Sequence, residues 1–211
     1  SKLYLFFDRK DYKKELSKDD VVNVIGTKGS GKTTSTLKYI NDDNYIVINC
    51  DRLYEMPTDS DIEDSYLKEI RDILKHKYGR VLEGEEFIKC YNDILKFILD
   101  KNKKALIEGN VIYDIKPISS LKGTVIVKRT GIVKCFIRTI KRDYPISYFL
   151  NQEIEKHGKI LGRFYRLKNI IKRRKNIFKI YHEIENIIDE LDSIKEWLAV
   201  VIKLTTVFSL K

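Results

Sequence analysis

Cysteine, proline and glycine are all scarce in this 211-residue chain, with three, three and ten residues respectively. The cysteines (Cys50, Cys90, Cys135) are odd in number, widely spaced and form no Cys-x-x-Cys pair. That excludes a disulfide scaffold or a structural zinc site as the organising device and reads as reduced thiols of a cytoplasmic protein. So little proline and glycine excludes a collagen-like or low-complexity chain. No stretch reaches the roughly 18 apolar residues that a membrane-spanning helix needs. The longest, Trp197 to Leu210, is shorter and is interrupted by Lys203. Leu3 to Phe7 is too short for the apolar core of a secretory signal and runs at once into charge, so no membrane partner is expected. His76, His157 and His182 show no metal-ligand spacing with cysteine or with one another. What remains is 43% hydrophobic and 34% charged, enough apolar material for a core within one domain spanning 1–211.

The formal charge of +10 is concentrated. Lys156, Lys159, Arg163, Arg166, Lys168, Lys172, Arg173, Arg174, Lys175 and Lys179 lie in one stretch without an acidic residue. These ten cations equal the whole excess. Such a block attracts polyanions, either the phosphates of a nucleotide or nucleic acid, unless it is a solvated helix face. Phe164, Tyr165 and Phe178, interleaved with it, could stack on bases or, at helical spacing, pack into the core.

Short apolar runs at Asp20 to Ile25, Tyr45 to Asn49, Ala105 to Ile107 and Thr124 to Val127 predict buried strands. Leu198 to Leu204 predicts a fifth, and Leu3 to Phe7 an edge strand. Between the second and third runs, two faces have helical period: Ile62, Tyr66, Leu67, Ile70, Ile73, Leu74, then Phe87, Ile88, Tyr91, Ile94, Leu95, Ile98. Asp59, Ser60 or Asp61 would cap the first and Gly79 end it. Further helices are expected over Gly131 to Asp143, Ile146 to His157, Gly162 to Lys179 and Ile180 to Trp197. Strands alternating with helices imply a mainly parallel sheet covered on both faces.

The most informative motif is Gly26-Thr27-Lys28-Gly29-Ser30-Gly31-Lys32-Thr33, with Thr34 to Ile40 able to continue as a helix. It fits Gly-x-x-x-x-Gly-Lys-[Ser/Thr], the P-loop, directly after a strand. The glycines let successive backbone N–H groups turn around a phosphate, and a helix opening near Lys32 would add its positive end. Lys32 suits the β- and γ-phosphates of ATP, and the Thr33 hydroxyl suits Mg²⁺. No Asn-Lys-x-Asp supports guanine recognition, and the third strand ends Glu108-Gly109 where motor-type ATPases carry Asp-Glu.

Ligands of open parallel sheets sit at the carboxyl ends of the strands. Asp51 and Glu108 follow the second and third runs there, able to accept a proton from an attacking hydroxyl or to hold Mg²⁺. Either could instead cap a helix or occupy a surface turn. Cys50, beside Asp51, would then expose the site to thiol reagents.

With these pieces, over roughly residues 20 to 143, the chain resembles the small P-loop kinases of the adenylate-kinase-like group, on the uridine-kinase-like and polynucleotide-kinase-like side. The likeness rests on Gly26 to Thr33, Cys50 to Tyr54, Ile107 to Gly109 and Phe136 to Asp143. It implies a P-loop NTPase three-layer α/β/α sandwich with a mainly parallel five-stranded sheet and a helical lid or insert, here the basic region 146–197. It implies Asp51 as general base, and Arg138 and Arg142 near a lid that neutralises the transferring phosphoryl group. The expected function is a Mg²⁺- and ATP-dependent kinase acting on a hydroxyl of a nucleoside, a small metabolite or a nucleic-acid end. The alternatives are a nucleic-acid-associated P-loop ATPase or nucleotide-dependent switch, or a regulator that binds nucleotide without chemistry.

Overall fold

The computed structural model describes residues 2–4, 18–54, 65–186 and 189. Five strands, β1 (Lys2–Tyr4), β2 (Val21–Ile25), β3 (Tyr45–Asn49), β4 (Lys104–Glu108) and β5 (Thr124–Val127), form one parallel sheet in the order β1-β5-β2-β4-β3. Its four longer strands coincide with the apolar runs. The expected strand Leu198 to Leu204 lies outside the described residues, and β1 is the three-residue strand at the edge of the sheet.

Burial alternates with the two-residue period of a pleated strand. Ile25, Ile46, Ile48, Ile107, Val125 and Val127 enter one large core with Leu67, Ile70 and Leu74 of α2 (Ser65–Tyr78) and Phe87, Tyr91, Ile94 and Ile98 of α3 (Phe87–Asp100). Val22, Val24, Val47, Leu106 and Ile126 form a smaller core on the other face with Tyr39. Each fully buried aliphatic side chain contributes about 1.5–3 kcal/mol, so no central strand can slip by one residue without inverting both faces. Asn23 is the polar exception inside β2. Its amide donates to the Lys122 carbonyl at 2.7 Å, and its oxygen accepts from the Tyr91 hydroxyl at 3.0 Å.

Helix α2 ends at Gly79, whose φ of 75° and N–H donated to Lys75 at 2.8 Å close its last turn. Its expected caps at 59–61, and Ile62, lie outside the described residues. After β5 come α4 (Ile132–Asp143), α5 (Ser147–His157) and α6 (Lys159–Arg173), with helical residues resuming over 176–186. The expected helix beginning at Gly162 instead starts at Lys159, because Gly158, at φ 78°, is the break between α5 and α6. Gly162 has a different role: a Cβ there would lie 2.5 Å from the Ile154 Cα, so its absence lets the two helices cross closely. No helix among the described residues is long and apolar enough to cross a membrane.

Candidate phosphate-binding site

The chain leaves β2 for β3 on one side and later crosses to β5 on the other, so β2 sits at the switch point of the sheet. The carboxyl ends of β2, β3 and β4 therefore deliver Gly26, Asp51 and Glu108 to one place. Asp51 and Glu108 border a cavity of about 850 Å³, lined also by Lys28, Gly29, Gly31, Lys32, Thr33 and Thr34 of the loop, by Asn49 and Arg52, by Gly109 and Asn110, and by Arg138, Arg142 and Arg174. Gly26, Thr27 and Ser30 are buried beneath that lining.

The loop's glycines answer to different constraints. Gly29, at φ 85°, lies against α4 so closely that a Cβ would run into the Cys135 carbonyl and lie 2.9 Å from Thr139 Oγ1. Gly31, at φ 90°, precedes α1 (Lys32–Thr36). That helix is shorter than the expected continuation to Ile40, since a 3-10 turn takes over at Leu37–Tyr39. The Gly26 N–H donates to the buried Tyr113 hydroxyl, which fixes where the loop leaves the sheet.

Lys32 is buried, and its ammonium donates to the Gly26 carbonyl at 2.5 Å, the Thr27 carbonyl at 3.4 Å and Asn110 Oδ1 at 3.2 Å. Burial drives its pKa down to about 8, against the upward pull of Glu108 and Asp51. Glu108 is almost fully buried. Its Oε1 accepts from Asn49 Nδ2 at 3.0 Å, while Oε2 has no hydrogen-bond partner among the described residues. Burial raises its pKa, opposed by the Thr33 hydroxyl and by Lys32. A buried carboxylate with an unshared oxygen beside a threonine hydroxyl fits a hard divalent cation, which prefers oxygen ligands.

Asp51 Oδ1 accepts the N–H groups of Asn110 at 2.7 Å and Val111 at 3.2 Å. The residue thus lines the cavity and also holds the turn after β4. Gly109 packs against it: a Cβ at 109 would lie 3.1 Å from Cys50 Cβ and 3.2 Å from the Asp51 nitrogen. Cys50 itself is fully buried with its thiol pushed well above the usual range by that burial, which removes the expected sensitivity to thiol reagents.

On the opposite wall, Arg138 Nη1 approaches the Gly29 carbonyl at 3.4 Å, and Arg142 Nε donates to Asp143 Oδ1 at 3.0 Å. Asp143 Oδ2 accepts from Arg174 Nε at 2.6 Å, and its backbone carbonyl accepts from the buried Arg166. Of the ten clustered cations, Arg174 alone lines the cavity. Lys156, Lys159, Arg163, Lys168, Lys172, Lys175 and Lys179 face solvent. Among the three interleaved aromatics, Tyr165 stacks on His157 at 4.3 Å, Phe178 meets Phe136 at 5.5 Å, and Phe164 is 62% exposed.

Sequence reasoning missed Tyr113, Asn49 and Asn110, and read Arg174 only as one member of the basic block. The two asparagines could have been found as polar residues flanking Asp51 and Glu108 at strand ends, whereas Tyr113 carries no local signal. No family model matches this sequence, and a search of curated proteins finds no significant match.

Proposed function

We propose that this protein is a Mg²⁺- and ATP-dependent kinase, built as a P-loop α/β/α sandwich, that transfers the γ-phosphoryl group to a hydroxyl. The observation that carries this is the convergence of the P-loop residues, Asp51, Glu108 and four arginines on one cavity.

In that role Lys32 and the loop hold the polyphosphate, and Thr33 with Glu108 would hold Mg²⁺. When bound, the cation neutralises charge on the phosphates. Asp51 accepts the proton of the attacking hydroxyl, so that the acceptor oxygen bonds to the γ-phosphorus as the bond from that phosphorus to the β,γ-bridging oxygen breaks. ADP and the phosphorylated acceptor leave. Arg138 and Arg142 offset the charge of the transferring group, and planar guanidinium forks suit its oxygens.

The test is incubation with γ-labelled ATP and a panel of nucleosides, metabolites and oligonucleotides, following the label. Label in an acceptor supports kinase activity. Label only in inorganic phosphate, released faster with DNA or RNA, would replace it with the ATPase alternative, for which the solvent-facing cations of α6 are the favouring observation.

A further inference from the structure

Helix α6 is amphipathic twice over. Gly162, Arg166 and Ile170 form its buried face, from which Arg166 reaches the Asp143 carbonyl. About 130° round the helix stands a second apolar stripe, made of Ile160, Phe164, Leu167 and Ile171. Their i, i+4, i+7, i+11 spacing keeps all four within about 60° of one another over about 16 Å. None of the four is buried: Ile160 is 85% exposed, Phe164 62%, Leu167 37% and Ile171 38%. Cations frame the stripe. Arg163 and Lys168 stand about 70° to either side of it and Lys159 and Lys172 about 110°, and all four are exposed. The helix contains no acidic residue. An apolar ridge left in water, on a helix that already has a packed face, marks an interaction surface, and the framing cations specify an anionic partner.

The chemistry of the stripe selects among anionic partners. A second copy of the chain would set the same cations against each other. Nucleic acid would engage the cations and stack a base on Phe164, but Ile160, Leu167 and Ile171 have no ring to offer. A lipid surface uses every part of the pattern. Aliphatic side chains and Phe164 enter the boundary between headgroups and acyl chains, while the long flanking side chains keep their charges at the lipid phosphates. Being fluid, that surface takes up a ridge without a matching groove. We infer that the outer face of α6 is an in-plane docking site for an anionic lipid bilayer, with Ile160, Phe164, Leu167 and Ile171 as the inserting residues and Lys159, Arg163, Lys168 and Lys172 as the headgroup contacts. The expectation of no membrane partner rests on the want of a spanning segment, which a helix lying in the interface does not need. The buried face keeps its bond to Asp143, so docking leaves the packing of α6 in place. No residue of the stripe lines the phosphate cavity, so the inference is independent of the chemistry proposed there.

Sedimentation of the full chain with phosphatidylcholine vesicles, and with vesicles of phosphatidylcholine mixed with phosphatidylserine, tests this. Expected is at least about tenfold tighter binding to the mixed vesicles, weakening as salt rises. Ile160→Ser combined with Phe164→Ser should lower that affinity by about tenfold or more. Both side chains are mostly exposed, so the fold should melt as the wild type does. Lys168→Gln combined with Lys172→Gln should cost about fivefold per cation and serves as the second variant should the serines lower the melting temperature. No binding to the mixed vesicles, or equal binding to both kinds, overturns the inference. Full binding by either variant does so too: by the serine variant because charge alone then adsorbs the protein, by the glutamine variant because the cations then play no part. Self-association that the serine substitutions abolish would give the face to a second copy of the chain. An RNA or DNA oligonucleotide bound more tightly than the mixed vesicles, and lost with the same serines, would give it to nucleic acid. Either of these last results overturns the lipid assignment.

Discussion

Lys32 should destabilise the protein that it serves. Its ammonium is buried, and its pKa is lowered from 10.5 to about 8, with desolvation as the leading cause. The displacement corresponds to about 3 kcal/mol against the charged form in the folded state. Lys32→Met keeps the length of the side chain and removes the charge. It also strips the Gly26 and Thr27 carbonyls and Asn110 Oδ1 of a donor, at about 1 kcal/mol each. The two sides nearly cancel, so the variant should melt within about 2–4 °C of the wild type near pH 7. The sign with pH follows from linkage. Below about pH 8 the lysine is protonated in both states and the penalty is complete; between 8 and 10.5 the unfolded chain binds the extra proton, so wild-type stability rises; above 10.5 the penalty is gone. Thermal melts of both proteins from pH 7 to 10.5 should therefore show near-equal stability at pH 7 and the variant falling progressively behind as pH rises. Saturating Mg-ATP should raise the melting temperature of the wild type alone. A variant that melts below the wild type by the same margin at every pH would refute the assignment of a buried, strained ammonium.

Three other substitutions separate the roles of the loop and its supports. Gly29→Ala forces a left-handed φ on alanine and drives its Cβ into the Cys135 carbonyl, so stability should fall by about 2 kcal/mol or more and ATP affinity with it, both measurable in one denaturation and titration series. Tyr113→Phe removes the acceptor of the Gly26 N–H and should cost about 1–3 kcal/mol by urea unfolding, with the slope of the transition unchanged. Asp51→Asn keeps an oxygen for the Asn110 and Val111 N–H groups but cannot take a proton, so ATP binding should stay near wild type while label transfer falls by at least about a hundredfold. Transfer at the wild-type rate in that variant would remove Asp51 from the chemistry.

The four long strands were legible because each is a short apolar run buried on both faces, a pattern that needs no knowledge of neighbours. The glycine-rich loop over 26–33 was legible for a similar reason, since its glycine spacing is itself the constraint. Elsewhere the local pattern lost to contacts made across the fold. Gly162 reads as a helix start but is a crossing point against Ile154. The break at Arg174 has neither glycine nor proline to announce it; it coincides with a guanidinium reaching 31 residues back to Asp143. Tyr113 sits 87 residues from the glycine that it anchors. The basic block read as a single polyanion surface, yet the fold divides it: Arg166 and Arg174 turn inward to Asp143 and most of the others face water.

That division makes Asp143 the residue on which the arrangement of the cationic wall turns. Burial acts to raise its pKa, but hydrogen bonds from Arg142 and Arg174 outweigh it and hold the carboxyl below its usual range. A carboxylate lowered in this way stabilises the fold above its unfolded pKa and loses that contribution as pH falls through the acid range. Asp143→Asn should remove the charge that draws the two arginines together while keeping the shape of the side chain. The backbone bond from Arg166 survives the change, so the end of α6 should loosen without detaching. Hydrogen exchange of the amides in α6 and over 176–186 should speed up by about tenfold, whereas β2 and β4 should exchange as in the wild type. The difference should fade as pH falls below the ordinary carboxylate range, since the carboxyl of the wild type then takes up a proton itself. Unchanged exchange in α6 of the variant would mean that apolar packing through Ile170 and Ile177 holds this region alone, and that Asp143 only balances charge.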